Sequence, residues 1–143
     1  TFEHMTLIPD GMECYCGKQG CAECYCSGNY LLEPEMELDE FFAKKEQGDS
    51  ACEKKWENYL SYLSMLINNL HMVIESTVIL GGNITPYFTE QDVLKIKQNV
   101  LERSTFKDDT SYIIQGRCRN DAVSIGAALP FIKEFLKEIA VKI

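Results

Sequence analysis

Five of the seven cysteines in this chain of 143 residues lie between Cys14 and Cys26. Disulfide frameworks spread their cysteines along the chain to close loops, whereas closely spaced thiolates can converge on one metal ion. Cys52 and Cys118 stand apart from this group. The crowding therefore predicts a metal-binding loop, and such a loop constrains the fold of the segments around it.

The spacing of three of these cysteines is typical of a structural zinc site. Cys14, Cys16 and Cys21 surround a short turn at residues 17–20, which begins and ends with glycine. Glycine adopts the positive φ angles that a tight loop requires. Structural zinc takes four tetrahedral ligands, usually thiolates with or without imidazole. We therefore predict that these three thiolates converge on one zinc ion.

His4 is the preferred candidate for the fourth zinc ligand. It lies in a strand-like run, and the turn signal at residues 9–11 directs the chain back toward the cysteines. Cys24 and Cys26 are the alternative ligands. A closed site with four protein ligands leaves no position for a water nucleophile, so the zinc is expected to hold the loop in shape.

Residues 4–11 and 14–23 together resemble the signature of the ROK family, which contains bacterial sugar kinases and sugar-responsive transcriptional repressors. The pattern that carries the resemblance is Cys-x-Cys-Gly-x-x-Gly-Cys-x-Glu. Residues 78–82 resemble the family's strand and glycine pair, and residues 125–128 resemble its closing helix. The resemblance covers nearly the whole chain. It implies an α/β fold, namely an incomplete actin-like (ribonuclease-H-like) ATPase domain with an inserted zinc-binding loop.

The resemblance also implies roles for individual residues. His4 would bind zinc and also reach a sugar hydroxyl, and the carboxylate of Glu23 would accept hydrogen bonds from sugar hydroxyls. Thr1 stands where the family has a sugar-binding Glu. Glu3 is the proposed substitute, because both side chains would point to the same side of a strand. The cofactor-binding positions implied are Gly81, Gly82 and Gly126.

Family members are about twice as long as this chain, so residues 1–143 are expected to form one C-terminal ROK-type sugar- and zinc-binding domain. The absent first half would carry an Asp-x-Gly phosphate-binding hairpin and a catalytic Asp in an Asn-Asp motif. In repressors, a helix-turn-helix arm would precede these. Asn120 and Asp121 form a similar pair, but their place before the closing helix favours helix capping. We therefore expect no catalytic residue in this chain and no kinase activity from it alone.

The composition argues against several classes of partner. The formal net charge is −8, from 14 Lys and Arg against 22 Asp and Glu. The segment therefore lacks the clustered cations that neutralise nucleic-acid phosphates. No apolar run approaches the roughly 20 residues that span a bilayer, and no basic-then-apolar leader begins the chain. We expect a cytoplasmic protein that binds neither nucleic acid nor membrane through this segment.

Hydrophobic periodicity predicts alternating strands and helices, which is typical of a layered α/β sheet. The predicted strands are at residues 2–8, 77–80 and 111–115. The predicted helices are a short surface helix within residues 30–49, a long helix with an apolar stripe at residues 53–73, and two helices that begin at Thr89 and Asp121. Residues 89–92 form a capping pattern for the first of these two. The last helix bends or restarts near Pro130, and its apolar stripe comprises Phe131, Phe135, Leu136 and Ile139. We expect His71 to be a packed or capping histidine.

Three hypotheses for the function follow from these observations. The main hypothesis is a zinc-stabilised sugar-recognition domain of a ROK-family transcriptional regulator, which the altered residues Thr1 and Glu3 favour slightly. The alternative is the C-terminal half of an ATP-dependent ROK sugar kinase, which phosphorylates a hexose or N-acetylhexosamine and uses ATP and Mg²⁺. The third is a zinc-stapled interaction domain without sugar binding. Family members often pair, so we expect a homo-oligomer, with the aromatic residues near Phe41 as the candidate contact.

Overall fold

The computed structural model describes residues 2–105, 109–116 and 122–140. In chain order, its elements are α1 (Glu23–Cys26), α2 (Leu38–Glu46), α3 (Ser50–His71), β1 (Val78–Leu80), α4 (Glu90–Arg103), β2 (Ile113–Gln115) and α5 (Ala122–Ala140). Short 3-10 turns lie at Phe2–His4, Gly28–Leu31 and Thr85–Tyr87. Helix α3 packs against α1, α2 and α4, so it forms the centre of this arrangement.

Helix α3 begins at a side-chain cap and buries one face. The carboxylate of Asp49 accepts hydrogen bonds from the amides of Ala51 and Cys52, both at 2.9 Å. Such a cap satisfies N–H groups that have no partner within the helix. The apolar stripe predicted for this helix is confirmed, because Trp56, Leu60 and Ile67 are buried on one of its faces.

Helix α4 begins with the capping pattern predicted from the sequence. One residue of that pattern, Asp92, also joins α4 to α3. Thr89 and Asp92 form a reciprocal capping box. The Asp92 carboxylate also accepts a hydrogen bond of 2.8 Å from the indole N–H of Trp56 in α3. Ile96 and Val100 are buried on the core side of α4. One carboxylate therefore fixes both the start of α4 and its position against α3.

Strands β1 and β2 form a small parallel sheet. Ile79 pairs with Ile114, and the neighbouring residues follow in register. Helix α4 supplies the crossover connection that parallel strands require. Leu80 and Ile113 are buried in the main core, whereas Ile79 and Ile114 are exposed on the other face. The predicted strands at residues 77–80 and 111–115 are thus confirmed, although each is shorter than expected and one face of the sheet is open.

The strand predicted at residues 2–8 is wrong. Phe2–His4 form a 3-10 turn, and Thr6 makes a single isolated antiparallel bridge. The amide of Leu7 donates to the carbonyl oxygen of Gly20 at 2.7 Å. The backbone groups of this segment therefore bond to the cysteine loop instead of a sheet, which a pattern of apolar and polar residues does not reveal.

Gly20 brings the two arms of the cysteine loop into contact. Its φ angle is +75°, and a Cβ atom at this position would lie 1.7 Å from the carbonyl oxygen of Ile8. Its amide donates to the carbonyl oxygen of Met12 at 2.8 Å. Only glycine permits this approach of one backbone to another. Gly17, at the tip of the loop, also has a positive φ of 82°, but a Cβ there would meet nothing within 4 Å.

Helix α2 belongs to the core, contrary to the prediction of a surface helix with a dimer contact. Phe41 and Phe42 are 1% and 7% exposed. The ring of Phe42 stacks on Tyr87 with centroids 4.2 Å apart and planes 5° apart, and it meets Trp56 edge to face. These aromatic side chains are already buried within the chain, so they are not available to a second copy.

The apolar stripe predicted for the last helix does not face the core of the described residues. Phe131, Phe135 and Leu136 are 74%, 63% and 57% exposed. The helix also continues through Pro130, within Ala122–Ala140. Helical spacing correctly places the apolar residues on one helix, but spacing alone does not determine what covers that face.

Some smaller predictions have separate outcomes. His71 packs as predicted, because its ring stacks on Tyr112 with centroids 3.8 Å apart. Asn120 and Asp121, interpreted as a helix cap, and the side chain of Ile139 lie outside the part of the chain that the structure describes. Among the described residues, no helix combines the length and the apolar character needed to cross a membrane.

We predict that Asp92→Ala lowers the free energy of unfolding by about 2–3 kcal/mol, because it removes both the cap of α4 and the acceptor for a buried indole N–H. Urea denaturation followed by Trp56 fluorescence measures this loss. Gln91→Ala, at the exposed neighbouring position, is the control and should change the free energy by less than about 0.5 kcal/mol. Equal effects of the two substitutions would contradict the assigned role of Asp92.

A second prediction compares two glycines of the cysteine loop. Gly17→Ala should cost about 1 kcal/mol, because alanine tolerates a positive φ poorly but finds open space at this position. Gly20→Ala should cost at least about 2 kcal/mol more, because its Cβ would collide with backbone atoms. Thermal or urea unfolding of both variants measures the difference. Similar losses for the two variants would show that the backbone approach at Gly20 does not matter.

Candidate metal centre and adjoining cleft

The cysteine loop brings together four side chains of the types that bind zinc. One ligand atom from each of His4, Cys14, Cys16 and Cys21 lies within 4.8 Å of all the others. The Sγ atoms of Cys16 and Cys21 are 3.6 Å apart, and the Nδ1 atom of His4 is also 3.6 Å from the Sγ atom of Cys14. These are the four residues that the sequence analysis selected as zinc ligands.

The donor set and its dimensions fit a tetrahedral cation. With Zn–S bonds of about 2.3 Å, two sulfur ligands of one zinc ion lie about 3.8 Å apart. The observed 3.6 Å between Cys16 and Cys21 is close to this separation. Three sulfur atoms and one imidazole nitrogen also form a usual ligand set for structural zinc. The cluster could therefore hold one such ion with little rearrangement.

The thiol groups of the cluster have different environments. The backbone N–H of Cys16 is the main cause that lowers the pKa of the Cys14 thiol, to about 7. Burial, together with the smaller effect of the neighbouring sulfur atoms, raises the pKa of the Cys21 thiol to about 12. A bound divalent cation would stabilise the thiolate form of each cysteine ligand and so offset the cost of ionising a buried thiol.

Cys24 and Cys26, the alternative ligands, have other surroundings. The thiol of Cys24 donates to the carbonyl oxygen of Glu13 at 3.6 Å. Burial raises the pKa of the Cys26 thiol to about 12. Among the residues that the structure describes, the group with metal-binding geometry includes His4 and neither of these thiols. The geometry thus favours His4 over both.

Helix α1 attaches the cysteine loop to the rest of the fold. Tyr25 is buried beneath the turn at residues 9–11, and its hydroxyl accepts a hydrogen bond of 2.7 Å from the amide of Met12. Its ring lies 4.8 Å from that of Tyr62 in α3. Glu23 is the first residue of α1. The backbone that carries Glu23 is therefore held both by the loop before it and by the packing of α1 on α3.

A cleft of about 490 Å³ adjoins the cluster. Polar and aromatic side chains from the loop, α1, the 3-10 turn Gly28–Leu31 and α3 form much of its wall, and they include Glu13, Tyr15, Glu23, Asn29, Tyr30 and Lys55. Lys55 donates to the carboxylate of Glu33 at 2.9 Å, and this contact lowers the pKa of Glu33. A cleft of this size, with carboxylate, amide and tyrosine groups, suits a small polar ligand.

The three predicted sugar-binding residues have different relations to this cleft. Glu23 lines the cleft, whereas Glu3 and His4 do not belong to its described lining. The Nε2 atom of His4 lies 3.1 Å from the hydroxyl of Tyr15. Sequence reasoning missed Tyr15, which stands between Cys14 and Cys16 in the sequence and lines the cleft. Its only sequence signal is an aromatic residue within the Cys-x-Cys spacing.

The glycines predicted to bind a nucleotide lie in the second half of the chain, apart from the cysteine loop. Gly81 and Gly82 follow β1 directly, and a Cβ on either would meet nothing within 4 Å. Gly82 has a φ of +90°, so its backbone conformation itself requires glycine. Gly126 lies within Ala122–Ala140, and its surroundings are outside the described part of the chain. The pair at residues 81–82 therefore forms an open turn at the carboxyl end of a parallel strand.

Comparison with known proteins identifies relatives among sugar kinases. The model of the ROK family matches residues 2–134. N-acetyl-D-glucosamine kinase of Escherichia coli O1:K1 / APEC is 27% identical over 121 residues, and that of Shigella sonnei strain Ss046 is 28% identical. Each alignment covers 70% of this chain and 40% of the relative. The chain thus spans well under half the length of these curated kinases.

Solved structures show the same relationship at the level of fold. The ROK hexokinase from Thermus thermophilus has a TM-score of 0.71 and 23% identity, and the alignment covers 90% of this chain and 46% of that one. A ROK family glucokinase from Streptomyces griseus, in complex with glucose and AMPPNP, has a TM-score of 0.71 and 21% identity, with coverage of 89% and 49%. The predicted actin-like α/β fold is therefore confirmed in its broad class, and the family match over most of its length shows that this chain belongs to the ROK family.

Proposed function

We propose that the chain is the sugar-binding, zinc-stabilised half of an ATP-dependent ROK sugar kinase. The observation that carries the proposal is the position of Glu23, which lines the 490 Å³ cleft directly beside the four potential zinc ligands. A carboxylate accepts hydrogen bonds through two oxygens, so Glu23 can bind two neighbouring hydroxyls of a sugar.

The sugar would be a hexose or an N-acetylhexosamine. The relatives named above are kinases of N-acetyl-D-glucosamine, and the solved neighbours are a hexokinase and a glucokinase in complex with glucose. Asn29, Tyr30 and Lys55 provide further polar groups in the same cleft, beyond Glu23. These groups can bind hydroxyl or acyl oxygens and so orient the sugar.

The chemical step needs groups that we place in the rest of the parent protein. Phosphoryl transfer requires a general base for the sugar hydroxyl, together with Mg²⁺ and groups that hold the phosphates. We assign none of the catalytic residues to this chain. The open turn at Gly81 and Gly82 is the place where its backbone could approach a nucleotide, because neither glycine has a Cβ atom in the way.

The comparisons favour this kinase alternative over the regulator that the sequence analysis preferred slightly. That preference depended on Thr1 and Glu3, and Glu3 is not part of the cleft lining. A regulator would use the same cleft to sense a sugar. The two are separated by incubating the complete parent protein with N-acetyl-D-glucosamine and Mg-ATP, since only a kinase produces the sugar phosphate and ADP.

We further propose that zinc occupies the cluster of His4, Cys14, Cys16 and Cys21. The support is the convergence of four suitable ligand atoms and their spacing. A cation bound there would link the loop at Cys14 and Cys16 to Cys21, which lies two residues before α1 begins. The role of the metal is thus to fix the wall of the cleft that Glu23 occupies.

The chain purified without added metal should contain about one zinc ion per molecule, measured by mass spectrometry of the metal after gel filtration. Cys16→Ser should weaken zinc binding by at least about 100-fold, because it removes one of four ligands. Cys52→Ser is the control, because Cys52 lies in α3 and does not belong to the cluster. This variant should keep the metal. Wild-type protein without stoichiometric metal would contradict the proposed zinc site.

The sugar site is tested with D-glucose and N-acetyl-D-glucosamine in NMR titrations, which detect weak binding. Glu23→Gln should lower the affinity by about 10- to 100-fold, because hydrogen bonds to a charged acceptor contribute about 1.5–3 kcal/mol. Glu90→Gln, an exposed acid at the start of α4, is the matched control and should bind like wild type. Equal binding by Glu23→Gln and wild type would remove Glu23 from the site.

A further inference from the structure

Tyr15 combines exposure with a fixed orientation. Its side chain is 80% exposed, although it lies between two residues of the proposed metal cluster. Its hydroxyl is 3.1 Å from the Nε2 atom of His4, and the two rings meet edge to face with centroids 5.1 Å apart. It also lines the cleft that contains Glu23. An exposed aromatic ring is common, but a ring that is held in place at the mouth of a cleft is not explained by core packing.

The orientation of Tyr15 depends on which nitrogen of His4 faces the metal. Nδ1 is the atom close to the cluster, at 3.6 Å from the Sγ atom of Cys14. When Nδ1 binds a metal ion, the proton of the neutral ring must lie on Nε2. Nε2–H then donates to the Tyr15 hydroxyl oxygen, as metal-bound histidines commonly donate through their second nitrogen. The hydroxyl proton of Tyr15 remains free to donate to a ligand.

We propose that Tyr15 is a specificity-determining residue of the cleft, which contacts the sugar bound at Glu23 and is held in position by His4 when the metal is present. This inference rests on the proposed function. The tyrosine ring provides a rigid apolar surface with a polar tip. Immobilising this side chain on binding costs little conformational entropy. One face of a pyranose ring presents C–H groups, so it can lie on such a surface while Glu23 accepts from the hydroxyls.

The proposal also explains why His4 is absent from the cleft lining. The resemblance implied that His4 binds zinc and reaches the sugar itself. In the structure, the Nε2 atom that would reach outward is directed at the Tyr15 hydroxyl instead. Tyr15 thus extends the contact of the metal-bound imidazole to the cleft, and the metal affects the sugar through two side chains, His4 and Tyr15.

The test uses the zinc-loaded chain with N-acetyl-D-glucosamine as the probe. Tyr15→Ala should weaken binding by about fivefold, which corresponds to an aromatic contact of about 1 kcal/mol. Tyr15→Phe keeps the ring but loses the hydrogen bond to His4, so it should weaken binding by about twofold. Phe131→Ala is the matched control, because Phe131 is similarly exposed, at 74%, but lies on α5 outside the cleft lining.

Two further measurements separate ligand contact from a structural effect. The zinc content of each variant is measured first, and we expect it to remain unchanged. Nuclear Overhauser effects between the Tyr15 ring protons and the sugar C–H protons should appear in the wild type with zinc and disappear when a chelator removes the metal. A Tyr15 that only supports the loop would give no such signals.

The outcomes distinguish this inference from the proposed function. If wild type binds the sugar and Glu23→Gln does not, but Tyr15→Ala binds normally and no ring-to-sugar signal appears, only the role of Tyr15 is overturned. If wild type binds neither N-acetyl-D-glucosamine nor D-glucose, both proposals are overturned. Loss of affinity in Tyr15→Ala with retained zinc and with ring-to-sugar signals in the wild type supports the inference.

Discussion

The close backbone contact at Gly20 is the constraint on which the rest of the site depends. The Gly20 carbonyl oxygen accepts hydrogen bonds from the amides of Leu7 and Ile8, and the Gly20 amide donates to Met12. These bonds hold the segment that contains His4 against the segment that contains the cysteines. Four potential ligands from these two segments therefore lie within 4.8 Å of one another.

Helix α3 transmits this local arrangement to the main core. The hydroxyl of Tyr59 in α3 donates to the carbonyl oxygen of Cys26 at 3.1 Å, and Tyr62 packs on Tyr25 of α1. On its other side, Trp56 is tied to Asp92 at the start of α4. The cleft with Glu23 thus belongs to a rigid helical framework, which is the condition for a carboxylate to recognise a fixed pattern of hydroxyls.

Membership of the ROK family and the fold shared with ROK kinases give this arrangement a chemical context. Within that context, the proposed role of the cysteine cluster is support: four protein ligands would leave no open position at a bound metal, and the groups that line the cleft include carboxylate, amide and phenol. Tyr15 lies between the cluster and the cleft, because its hydroxyl is close to His4 and its side chain lines the cleft.

The sequence by itself determined the features that depend on local chemistry. The cluster and the family were identified from the crowded cysteines, the glycines between them and the Glu two residues after Cys21. The sequence shows the spacing of potential metal ligands directly, and glycine marks the positions where a positive φ angle is favourable. Apolar spacing likewise located α3, and the capping residues located α4. These are interactions between residues close together in the chain.

Only the tertiary structure decided features that depend on distant contacts. Residues 2–8 carry a strand-like pattern, but their amides bond to the loop around Gly20. The sequence predicts a surface helix around Phe41, but Phe41 and Phe42 are both buried. Phe42 packs on Tyr87 and Trp56, and Phe41 packs on Phe42. Tyr15 could not be recognised as a candidate site residue from the sequence, because only the fold places it next to His4 and the cleft. The physical reason is the same in each case: a residue type limits what a side chain can bind, but the partner is chosen by the fold.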